Sequence, residues 1–163
     1  MEKILNIYHY SLYIMHYKLH LLVNRLNPFR LLHKLPFQKR KYEELGIDID
    51  KEVDSAFSNR NFGLSILVSG GVLLATLFLL IFILFQFITK LLDVEVILNT
   101  YIFAVFGGLA FGVCYLFVFR KDKYLTYFDK FDSWTKQQQQ LNIIISSFFI
   151  VITSCLFFAS LFN

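Results

Sequence analysis

Between Val96 and Phe119 the chain runs for 24 residues without a charged side chain. As an α-helix that stretch is about 36 Å long, enough to cross a bilayer hydrocarbon core of about 30 Å. Two more charge-free runs, Asn61–Thr89 and Gln137–Asn163, lie on either side of it. The chain is 56% hydrophobic, against about 45–50% for an ordinary water-soluble domain, so the excess calls for an apolar solvent. The pattern predicts an all-α polytopic membrane protein with three transmembrane helices, at 61–89, 96–119 and 141–162. An amphipathic cytoplasmic helical region, 1–60, precedes them, and a cytoplasmic amphipathic connector, 120–140, joins the last two. Phe is common, at 20 residues, and reads as apolar surface turned to lipid.

Small and hydroxylated residues mark the sides on which these helices would pack. Ala104, Gly108 and Gly112 recur every fourth residue with Gly107 beside them, a spacing that lets a second backbone come close. In the first run Ser65, Ser69, Gly71, Ala75, Thr76 and Gln86 fall on one half of a helical wheel. The last run gathers Asn142, Ser146, Ser147, Thr153, Ser154 and Ser160 in the same way.

Ahead of the spans, residues 4–26 read as an amphipathic helix with a seam of Leu5, Tyr8, Leu12, Met15, Leu19, Leu22 and Leu26. Lys18, His9, His16 and His20 make insertion costly, since a central Lys alone opposes it by about 2.5–3.5 kcal/mol. An interfacial or coiled-coil helix is therefore expected, stopped at Asn27-Pro28. Arg25, Arg30, Lys34, Lys39, Arg40 and Lys41 follow with no acid among them and with Phe29, Leu31, Leu32, Leu35 and Phe37 interleaved. That mixture suits anionic headgroups, at about 1 kcal/mol per cation, better than nucleic acid, which is not an expected partner. Next comes an acidic stretch, with Asp50 as the expected N-cap of a short helix and Glu52 in its first turn. Asp48, Asp50, Glu52 and Asp54 alternate as in a calcium loop, but Val53 stands where that loop needs glycine. In the second connector Tyr124, Tyr127, Phe128, Phe131 and Trp134 are spaced for an interfacial helix at headgroup level.

Lys and Arg number ten before the first span, one in the first connector, five in the second and none after the third. The positive-inside rule places residues 1–60 and 120–140 in the cytoplasm and the C-terminus on the opposite side. Cys114 and Cys155 then differ in depth by about 13 Å, too far for a bridge, which requires Cα atoms within about 7 Å.

Chemistry is sparse. The spans hold no Asp, Glu, His, Lys or Arg, the groups that proton relays, ion pumps and intramembrane proteases use. No phosphate-cradling glycine loop, paired-cysteine zinc spacing or nucleophile elbow occurs. His16 and His20 lie four apart, but zinc needs a third or fourth ligand, so neither a metal nor a cofactor is expected. The function expected is that of a non-enzymatic membrane protein acting by helix association, an oligomer-forming or accessory subunit with a basic docking surface. Its partners would be anionic lipid and either a second copy or another membrane protein. Two rivals are a homo-oligomeric pore or membrane-perturbing effector of toxin or defence type, and a small subunit of a larger transport or respiratory complex.

Overall fold

The structure, a computed structural model, describes residues 1–26 and 35–161. The expected stop at Asn27-Pro28, and the basic residues Arg30 and Lys34, lie outside that set. Every described element is a helix. In order they are α1 (Glu2–Leu26), α2 (Pro36–Glu44), α3 (Ile49–Ser58), α4 (Leu64–Leu91), α5 (Thr100–Cys114), a π turn (Tyr115–Phe119), a 3₁₀ turn (Arg120–Asp122), α6 (Lys123–Asp132) and α7 (Lys136–Leu161).

Local chemistry explains where these helices begin and end. Pro36 opens α2 with its φ already helical. Gly46 closes it in the left-handed region (φ +65), where its N–H bonds Glu43 O and that of Ile47 bonds Tyr42 O. Asp48, not Asp50, caps α3: its carboxylate accepts from Lys51 N at 3.3 Å, and Asp50 and Glu52 sit in the first turn instead. The reason is register, because Asp48 is the residue with extended backbone just before the first helical one. Asn99 caps α5 through Ile102 N at 3.1 Å, so this helix begins later than the charge-free run and leaves Val96–Leu98 outside. Thr135 and Gln138 form a reciprocal capping box at the start of α7. That box draws the glutamine run into the helix, so α7 starts ahead of the expected 141.

Three helices are long and apolar enough to cross a membrane: Leu64–Leu91, Thr100–Asp132 (α5 through α6) and Lys136–Leu161. The chain divides into two compact units, Met1–Leu12 with Gly70–Asn163, and Tyr13–Ser69. In the first, Phe82 is buried and meets Phe103, Phe106 and Phe157 at centroid distances of 5.9, 6.2 and 5.3 Å, tying α4, α5 and α7 together. Phenylalanine is thus partly an interior residue here and not only outward apolar surface. On α5 the buried line is Phe106, Ala110 and Cys114, continued by Val118 in the π turn. In the second unit Tyr13, Ser65, Ile66 and Ser69 are buried. Cys114 and Cys155 are both free thiols.

Candidate functional site

α1 departs most from the sequence reading. Its leucine seam is buried only at Tyr8 and Leu12, while Leu19, Leu22 and Leu26 are exposed. What is buried is the run Tyr8–Tyr13 in full, together with Asn6. Over that stretch the helix is covered on all sides, as a core element is. His9 is 0% exposed. Its ring lies 5.5, 5.7 and 5.3 Å from those of Phe119, Tyr124 and Phe128.

The π turn and the first half of α1 complete each other. Widening a helix to π spacing disturbs its carbonyl pairing, and inserted polar side chains restore it. Asn6 Nδ2 donates to Phe117 O at 3.0 Å, and Lys123 Nζ donates to Leu116 O at 3.3 Å. Lys123 also pairs with Glu2 at 2.8 Å, and Tyr127 donates to the same carboxylate at 3.1 Å. The Lys123 ammonium bonded to Glu2 holds that carboxyl below its usual range. Tyr8 and Thr76 share a hydrogen bond of 3.0 Å, and Tyr10 donates to Asp132 at 3.0 Å.

α6 consequently turns its aromatic face inward. Tyr124, Phe128 and Phe131 are buried against α1, where headgroup contact was expected. Trp134 is half-buried, stacked on Phe131 at 4.3 Å and edge-on to Tyr10 at 5.8 Å.

The expected packing residues separate into two groups. Ser65, Ser69 and Thr76 are buried, whereas Gly71 and Ala75 are exposed. Within α4 the glycine that admits side chains of other helices is Gly70, where an added Cβ would stand 3.2 Å from Phe119 Cζ and 3.9 Å from His9 Nε2. Its only sequence signal is its place beside Gly71, one wheel position closer to the inner face. Ala104 and Gly108 are exposed and Gly112 half-buried; at both glycines an added Cβ would meet nothing within 4 Å. The residues of α5 that are buried are instead Phe106, Ala110 and Cys114. Arg25, Lys39, Arg40 and Lys41 are exposed, and α2 buries no residue while Phe37 beside its cations is also exposed.

In the second unit α1 meets α3 and α4 through polar and stacked contacts. His16 Nδ1 and Ser65 Oγ are 3.1 Å apart, Tyr17 donates to Asp54 at 2.8 Å, and the His20 ring stacks on Phe57 at 3.5 Å. Burial and the neighbouring His20 lower the His16 pKa. Burial and the Asp54 bond push Tyr17 up to about 12. No group of three or more His, Cys, Asp or Glu able to hold a metal occurs among the described residues. No protein-family model, curated protein or solved structure matches the chain.

Proposed function

We propose that the chain is a multi-pass membrane protein that works by lateral association, with the exposed basic surface of α2 as its cytoplasmic docking layer for lipid and partner protein. One observation carries this reading. On the small-residue line, Ala104 and Gly108 are exposed, and an added Cβ at Gly108 or Gly112 would meet only open space among the described residues, so a second transmembrane helix could approach closely there. The inverted distribution of side chains supports it: Asn6, His9, Ser11, Ser69, Thr76, Ser146 and Thr153 are inside. Leu67, Leu84, Phe111, Ile145, Phe148 and Val151 are outside. Hydrocarbon favours that arrangement, because it leaves buried polar groups to bond one another.

The exposed cations of α2, with Phe37 among them, form the basic surface, and anionic headgroups are its expected ligand. The pore reading is the weaker one, since Ser65, Ser69, Thr76, Ser146 and Thr153, the hydroxyls that would line it, are already buried within one chain.

The test is mass determination of the purified chain in mild detergent, for the parent and for Gly108→Leu with Gly112→Leu. A parent larger than one chain, reduced to a single chain by the substitutions with its helix content intact, is the expected result. An unchanged assembly size would remove this seam. Dye release from liposomes carrying the parent would restore the pore reading.

A further inference from the structure

A cleft of about 490 Å³ opens between the C-terminal ends of α4 and α7, with Val94 and Val96 of the connector at its mouth. That volume is within the roughly 300–1,000 Å³ of small-molecule sites. Its walls are graded in polarity. Ile83, Phe87, Leu156 and Ala159 form an apolar channel, and Gln86, Thr89, Lys90 and Ser160 stand among and above them.

The hydroxyls are already used: Thr89 donates to Gln86 O at 3.0 Å and Ser160 to Phe157 O at 2.7 Å. The two strongest polar groups remain open. Among the described residues Lys90 makes no ion pair, and the Gln86 side-chain amide makes no hydrogen bond. The connector's own carboxylates, Asp93 and Glu95, are not part of the lining. The site therefore offers one cation and one amide donor above an apolar slot.

Depth identifies what fits. α4 has 28 residues, about 42 Å of helix, so a hydrocarbon core of about 30 Å centred on it leaves about 6 Å beyond each face. Lys90 then lies at phosphate level. Gln86 is one turn deeper, about 6 Å along the axis, at the boundary where the ester carbonyls of a lipid lie.

We propose that this cleft holds one anionic glycerophospholipid. Its phosphate sits on the Lys90 ammonium, an ester carbonyl accepts from the Gln86 amide, and one acyl chain lies in the slot between Ile83 and Leu156. The assignment rests on α4 and α7 spanning the bilayer.

The test uses the full chain in mild detergent, titrated with a phosphatidylglycerol bearing two oleoyl chains and read by native mass spectrometry. The parent should retain one lipid per chain more tightly than the rest. Lys90→Ala should weaken that step by about tenfold, the scale of one charge-assisted hydrogen bond, and Ala159→Phe, which fills the slot, should abolish it. Lys136→Ala, at the other end of α7 and not among the residues lining the cleft, should leave it unchanged. Equal retention by the parent, Lys90→Ala and Ala159→Phe would overturn the site. So would displacement of the lipid by millimolar glycerol phosphate, which has the headgroup without the chains. Alkaline carbonate extraction of the expressed protein separates the two levels. Release into the soluble fraction would overturn the spanning reading and the site with it, whereas firm retention together with a negative titration removes the site alone.

Discussion

The first half of α1 and the whole of α7 are opposites. The α1 segment carries Asn6, His9 and Ser11 among its tyrosines and is buried at Asn6 and from Tyr8 to Tyr13. α7 is one of the three strongly apolar helices, yet only 11% of its most apolar window is buried, and the residues it does bury are Ser146 and Thr153. In water this order would forgo about 1.5–3 kcal/mol for every large apolar side chain left outside. The contrast teaches that apolarity alone does not decide burial here, since polar groups with partners on other helices lie inside beside the aromatic core. Tyr8 meets Thr76, Asn6 meets the π-turn carbonyl and Glu2 meets Lys123, pairings that an apolar surrounding makes obligatory.

The sharpest way to break that comparison is to truncate one ring on each side of it. Phe128→Ala removes a fully buried ring packed on His9, Tyr10 and Tyr124 and should lower stability by about 3–5 kcal/mol. Phe148→Ala, on the outer face of α7, should change it by no more than about 0.5 kcal/mol. Thermal unfolding in the same detergent measures both, and equal losses would mean that α7 is covered too.

Next in size is Asn6→Leu, which keeps the forked shape of the side chain and strips Phe117 O of its donor. A loss of about 1–3 kcal/mol is expected. Amide exchange should rise in the π turn first, and unaltered exchange there would show that Asn6 does not hold it.

A pH series probes the second half of α1. Because burial lowers the His16 pKa, the folded chain binds fewer protons there than the unfolded chain. The stability this contributes is complete above about pH 6.5, the value of an unperturbed histidine, and is lost as pH falls through the lowered value. The melting temperature should drop on going from about pH 7.5 to about 5.5, and drop less in His16→Asn. An equal drop in both would assign the effect elsewhere.

The smallest effect belongs to the half-exposed pair of Glu2 and Lys123. Glu2→Gln should lower the melting temperature only slightly, because solvent screens the pair. Since the Glu2 pKa is lowered from 4.5, the parent keeps this contribution above that value and loses it in more acidic solution. The two proteins should therefore converge in stability under acid, and a gap that persists there would mean that the carboxylate charge is not what matters.

Several features were legible in the residues themselves. The charge-free runs located three helices long enough to cross a membrane, and caps such as Asn99 are chemical facts of the nearest few side chains. Periodicity was a poorer guide to which face is used. Leu19, Leu22 and Leu26 keep a perfect seam and stay exposed, while Asn6, His9 and Ser11 break it and are buried.

What the sequence alone determined is therefore the number of long apolar helices and much of their punctuation, because both depend on composition over a few turns and on bonds within them. Which glycine takes a neighbour, why Tyr124 and Phe128 face inward, and where the π-turn carbonyls find donors were decided only by the tertiary structure. Those outcomes join residues far apart in the chain: Gly70 with Phe119, and, at more than a hundred positions, Asn6 with Phe117 or Tyr10 with Asp132. A polar group in an apolar surrounding takes whichever partner the fold brings within 3 Å or so, and no local pattern records which one that will be.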